Sequence, residues 1–183
     1  MCVTHGILLQ VEAFSAVGTA RYGVLHGAAE VLLDELTERY TVERREGKET
    51  LPTGGDPVRT IRLIPHTPNA GPLAVAFTDF PSVVLLLGRF YRQSLPACGC
   101  AECDEDPDEL VGDLRGRASA LVEGGLWERV RRGVTGSWWE TRLIGPGFQA
   151  NQQAPLDAGA ARAARREGFA AAVQWAPWPR RPR

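Results

Sequence analysis

Cys98, Cys100 and Cys103 fall together in the segment Pro96, Ala97, Cys98, Gly99, Cys100, Ala101, Glu102, Cys103, Asp104. Thiolate is a strong ligand for zinc and other soft metals, and a C-x-x-C pair supplies two corners of a tetrahedral site. Gly99 lets the backbone bend so that neighbouring sulfurs can converge. Three corners are then local, and the fourth decides the chemistry. A side chain there closes the site as a structural one, whereas water leaves it open as in a catalytic one. Asp104 is one candidate, provided its carboxylate turns back toward the sulfurs. His26 is the other, on the edge of an apolar helical stripe where an imidazole can face inward. His66, between Pro65 and Pro68, reads as a solvated loop residue, and Cys2 and His5 lie close to the N-terminus.

Two other readings of the thiols stand beside the metal. Small buried cysteines are common in cores, and Cys100 with Cys103 could form a reversible redox pair. Acidic residues crowd the same stretch, from Glu102 to Glu109. Their charge raises thiol pKa values, which argues against a reactive thiolate in the absence of a metal. Elsewhere the chain offers less. Gly136, Ser137, Trp138 is no nucleophile elbow, lacking the second spaced glycine. Gly145, Pro146, Gly147 lacks the Lys-Ser/Thr end of a phosphate loop. Trp138 and Trp139 could border an aromatic pocket, although tryptophans in strands more often pack. Arg129, Arg131 and Arg132 with Arg142 could form a patch for an anion, and a helix end offsetting its dipole explains the first three equally well.

These residues must be positioned by elements that the pattern also outlines. A short helix is expected over 7–17 after Thr4, and a longer one over 21–40 with Leu25, Ala29, Leu32, Leu33 and Leu36 along one stripe. The stretch 41–46 alternates weakly, and 51–57, with two prolines and two glycines, reads as a loop. Strands are expected over 58–64, 73–78 and 83–91, short and rich in Val, Ile, Leu and Phe, with apolar residues on both faces of the last two. After the cysteines, Asp106 can cap a helix, Pro107 suits its first position and Glu109 completes a box, so a helix is expected to about residue 132. A strand over 134–144 places Trp138 and Trp139 on opposite faces. Asp157 then caps an alanine-rich helix reaching at least residue 166. This order lacks regular βαβ alternation, which predicts an α+β fold: a mainly antiparallel sheet of about four to five strands with helices packed against it.

The 183 residues suffice for one ordinary core, read as a single domain over 1–176 with a mobile Pro/Arg-rich tail over 177–183. The end from Trp175 to Arg183 combines aromatics, prolines and cations, which suggests a polyproline-type docking tail, testable at Trp178, or a weak nucleic-acid contact, with fraying as the simpler reading. A formal net charge of −1 gives no general reason to bind nucleic acid or an acidic membrane. The aliphatic runs at 73–77 and 83–87 are far shorter than the roughly twenty residues of a membrane-spanning helix. The first residues show no basic region ahead of an apolar run, so a cytoplasmic location is expected, where clustered thiols stay reduced.

The segment from Pro96 to Asp104 resembles a family of small uncharacterised actinobacterial proteins, grouped as a domain of unknown function, that carries Pro-x-Cys-Gly-Cys-x-x-Cys-Asp. The resemblance extends over most of the chain, including Arg21, Tyr22, Leu25 and His26 and the stretch 74–81. Many of these relatives have Trp-His where this chain has Phe90 and Tyr91. The family implies no activity, substrate or partner. The leading expectation is therefore a zinc-stabilised binding or regulatory domain, with Cys98, Cys100 and Cys103 as ligands, His26 or Asp104 as the fourth, no catalytic residue, and a partner that the sequence leaves unknown, a protein being one candidate. A zinc enzyme with three cysteines and a bound water, in which Asp104 or Glu105 moves protons, is the rival. A metal-free binding domain with inert thiols is the third reading.

Overall fold

A computed structural model describes residues 21–51, 54–80, 82–97, 105–134 and 136–182. The expected helix over 7–17 lies outside the described residues, as do Cys2, His5, Cys98, Cys100, Cys103 and Asp104. The first described element is helix α1 (Val24–Arg39), which buries the expected stripe of Leu25, Ala29, Leu32, Leu33 and Leu36. An antiparallel meander follows: β1 (Val42–Glu49), β2 (Val58–Pro65), β3 (Leu73–Phe77), β4 (Val83–Leu87) and β5 (Tyr91–Leu95), paired in that order. Every residue of β3 is buried, as expected of a central strand covered on both faces. β1, the open edge, reads VERREGKE, and such a run of charges discourages pairing with another chain.

The stretch expected as one strand over 83–91 is two strands. At Gly88 the backbone takes φ +59, a left-handed conformation that favours glycine, and the chain reverses into β5. Helix α2 (Pro107–Val122) begins as expected, with the Asp106 side chain accepting the Asp108 N–H at 2.8 Å. It stops ten residues before the expected end. Gly124, at φ +83, turns the chain, and 126–133 alternates instead of cycling: Leu126, Glu128 and Val130 are buried while Trp127 and Arg129 are not.

This segment is β6 (Leu126–Gly133), the start of a second antiparallel sheet with β7 (Gly136–Gly145), β8 (Phe148–Leu156) and β9 (Val173–Gln174), in the order β8-β7-β6-β9. Asp157 caps α3 (Ala158–Ala164) with both Gly159 and Ala160 N–H groups, and a wider helical turn runs on to Phe169 around Gly168 at φ +103. The α+β class holds, with the strands of the described residues divided between two sheets.

Two hydrophobic cores result. The larger joins α1, α2 and alternate residues of the first sheet, such as Leu73, Val75 and Phe77, to Leu126 and Leu143 of the second. The smaller gathers Phe90, Val130, Ala161, Ala164 and Phe169. Of the segment expected as a mobile tail, Trp178 joins the first core. Trp178 is only 4 % exposed and its indole N–H donates to the Gly71 carbonyl at 2.8 Å. Thr41 N–H donates to the Pro179 carbonyl, and Arg181 N–H to that of Arg39. A large indole with a satisfied N–H is worth more buried than as an exposed docking contact, which removes the docking reading of Trp178.

Candidate functional site

Because side chains alternate across a strand, the second sheet presents one row set to the cores and another away from them. Leu126, Glu128 and Val130 of β6 and Thr141 and Leu143 of β7 are buried. The opposite face carries Trp127, Arg129 and Arg131 on β6, Trp138, Glu140, Arg142 and Ile144 on β7, and Gln149, Asn151 and Gln153 on β8. Directly paired residues share a face, so the register arranges these side chains in rows across the sheet. Gln174, Trp127, Arg142 and Asn151 form one row; Arg129, Glu140 and Gln153 form the next. A groove of about 780 Å³ runs over both rows and ends at Gly124, Gly125 and Ile144. That volume lies in the range of small-molecule sites. Gly125 has no room for a side chain, because an added Cβ would collide with the Ile144 carbonyl oxygen.

Electrostatics on this face are uneven. Glu140 is 18 % exposed and accepts from Arg129 Nε at 2.6 Å and from Arg131 Nε. Partial desolvation works to raise its carboxyl, and the two guanidinium groups outweigh that and hold it below the usual range. Arg129 also rests over the Trp127 ring, 5.1 Å from its centroid, and Arg131 over Trp138 at 5.7 Å. Arg142 differs. Its Nη2 donates to Gln149 Oε1 at 2.9 Å, and among the described residues no carboxylate lies within ion-pair distance of it. Of the four arginines expected as a patch, Arg129, Arg131 and Arg142 share this face across β6 and β7 instead of a helix end, the first two already paired with Glu140, while Arg132 alternates to the other face.

Behind the groove lies a group that sequence reasoning missed. Glu128 is fully buried. Its carboxylate accepts from the backbone N–H groups of Arg89 at 2.8 Å, Phe90 at 2.7 Å and Tyr91 at 3.2 Å, and from Trp175 Nε1 at 2.7 Å. Burial pushes this carboxyl up, and the four donors work against that shift. Gln152 adds a second tie: it accepts from Arg92 N–H at 3.1 Å and donates to the Arg92 carbonyl at 2.6 Å. Together they bind the β4–β5 turn and the edge of the first sheet to the underside of the second. An acid between Leu126 and Val130 would have signalled this once 126–133 was read with a period of two.

Of the two tryptophans, Trp139 faces inward and stacks on Phe90, with ring centroids 5.9 Å apart, while Trp138 faces the open side. Tyr91 is buried, and its hydroxyl accepts from Arg117 Nη1 at 2.9 Å. His66 is exposed, as expected. His26 is half-buried: its Nε2 sits 3.1 Å from the Ser82 carbonyl oxygen and its ring meets Phe77 edge-on at 5.3 Å.

The expected ligands Cys98, Cys100 and Cys103, with Asp104, lie outside the described residues, and so does any contact between them and His26. The segment is closed at its base, where Glu105 Oε2 accepts from Ala97 N–H at 3.0 Å. The Glu105 carbonyl in turn accepts from Arg21 Nη2 at 3.1 Å and from the Tyr22 hydroxyl at 3.4 Å, one helical turn before His26. Among the described residues no group of three or more His, Cys, Asp or Glu side chains is placed to hold a metal. No helix among them is long and apolar enough to cross a membrane.

Residues 10–182 match the model of a family described as a Family of unknown function (DUF6226). Neither the curated proteins nor the solved structures give a match.

Proposed function

The chain belongs to the Family of unknown function (DUF6226), which brings no activity with it, and we propose that the protein is a cytoplasmic, zinc-stabilised binding domain. The observation that carries the binding part is the groove on the open face of the second sheet. Its aromatic and polar side chains stand on paired strands, and Glu128 and Gln152 brace those strands from below. A rigid sheet face holding such groups in fixed rows lowers the ordering cost of binding. The zinc part rests on the spacing of Cys98, Cys100 and Cys103. It draws support from the closed base at Ala97 and Glu105, which brings the ends of the cysteine segment together beside α1. In this reading the metal is a clasp between the edge of the first sheet and the start of α2, and His26 or Asp104 completes it.

Metal analysis of protein purified without added metal tests the clasp. One equivalent of zinc with no exchangeable water is expected, and chelation is expected to lower the melting temperature, because binding energy at such sites is folding energy. Cys100→Ser should abolish the metal. Zinc with an open, water-filled position would favour an enzyme instead, and metal-free protein unchanged by chelator would leave inert thiols.

A further inference from the structure

We infer that the groove on the second sheet takes a small ligand built of a flat ring and one anionic group, phosphate or carboxylate, with the ring against Trp127 and the anion on Arg142. The inference rests on the binding reading above and specifies its ligand. Trp127 and Arg142 are directly opposed on adjacent strands of the same face, so their Cβ atoms stand about 5 Å apart. That separation suits a ring and an anion carried on one small molecule. Arg129 fixes the indole from one side at 5.1 Å and is itself held by Glu140 at 2.6 Å. Trp127 is thereby presented in one orientation, which limits the entropy lost when a ring stacks on it.

Charge selects the second half of the ligand. Among the described residues Arg129, Arg131 and Arg142 share this face with one carboxylate, Glu140, which is occupied by the first two. It therefore offers little repulsion to an incoming anion, while Arg142 has only the neutral Gln149 amide to leave or share. A guanidinium fork recognises phosphate and carboxylate oxygens in pairs. Asn151 and Gln174 complete the row with amide groups that can receive polar edges of the ring. Gln174 keeps its Oε1 for this, since its Nε2 is bound to the carbonyls of Gly124 at 2.6 Å and Leu126 at 3.1 Å. A nucleic-acid polymer fits less well, because among the described residues Arg142 is the single uncompensated cation in the groove and the chain's net charge is −1.

Titration calorimetry with the full chain, joined to the shift of the Trp127 indole N–H resonance, tests this with adenosine 5′-monophosphate, phenylacetate and neutral adenosine. One or both anions should bind and move the Trp127 resonance, with adenosine at least tenfold weaker; which anion binds more tightly separates phosphate from carboxylate. Arg142→Gln, an exposed change, should weaken the anions tenfold or more and leave adenosine unaltered. Trp127→Ala should weaken all three. Adenosine binding as tightly as the anions, or an Arg142→Gln variant that binds them normally, overturns the ligand class while leaving a binding groove in place. No response at Trp127 to any probe, or a concentration-dependent dimer that Trp127→Ala dissociates, overturns the inference and the small-molecule binding reading together.

Discussion

Exchanging the Glu128 carboxylate for an amide preserves its shape and replaces one acceptor oxygen by an NH2 group. Oε2 now accepts from Arg89 N–H and Trp175 Nε1, so Glu128→Gln strands two buried donors if the amide keeps its oxygen toward Phe90 and Tyr91. Each buried donor left without a partner costs about 1–3 kcal/mol, and a loss of about 2–5 kcal/mol in urea unfolding is expected. The pH dependence has a definite sign. Burial, set against the four donors, raises the folded carboxyl above its unfolded value, so the folded state binds the proton more tightly. That contribution is full below the ordinary glutamate range and is lost as pH rises through the folded value. The deficit of Glu128→Gln should therefore narrow with rising pH over that interval. Glu140 behaves oppositely: its lowered carboxyl contributes above the ordinary range and loses that contribution as pH falls, a change damped by its partial exposure. A Glu128→Gln deficit that widens over that interval would show that the donors, and not burial, dominate. Neither role could be read from residue type alone, since the partners of Glu128 and Glu140 follow from which face of the sheet each occupies.

At the level of elements, the turn between β4 and β5 depends on Gly88. An alanine there would adopt an unfavourable φ of +59 and set its Cβ against Glu128 Oε2, Leu126 and Trp175 Nε1. Gly88→Ala should lose at least about 2 kcal/mol by urea unfolding, the left-handed conformation alone costing about 1–2 kcal/mol. A neutral outcome would mean that the turn can rearrange without disturbing Glu128. The same glycine shows where the sequence was legible and where it was not. The Leu stripe of α1, the Asp106–Pro107 start of α2 and the apolar run of β3 carry local signals and formed as read, whereas the run read as one strand over 83–91 gives β4 only as far as Leu87. Gly88 sits inside an apolar stretch, so nothing local marks it as a turn; its partner is a carboxylate forty residues away. The arginines at 129–132 have good helix propensity, yet the pairing of β6 with β7 decides their conformation. β8, reading FQANQQAPL, is polar because one of its faces lines the groove and the other is only partly covered, and its hydrophobic period is correspondingly faint. The groove was unreadable for that reason: two of its strands had no clear signature, and its rows exist only once the register is known. The cysteine segment was the opposite case, legible as a motif without a partner in sequence.

For the whole molecule, the segment from Trp175 to Pro182 acts as a strap across both sheets. Trp175 bonds Glu128 beneath the second sheet, Trp178 fills the first core, and 179–181 pair with the end of α1. Trp178→Ala should cost about 3–5 kcal/mol, as for other buried aromatic truncations, measured as a lowered urea midpoint with the slope unchanged. A change below about 1 kcal/mol would place the strap outside the cooperative unit. The strap also bears on how quickly the native state is reached. Arg181 Nε bonds the Tyr40 carbonyl across 141 positions of chain, and such a closure brings its reward only after a long loop has been ordered. High contact order of this kind slows folding, and it leaves the apolar faces that Trp178 will cover open to other chains until the final docking step is complete.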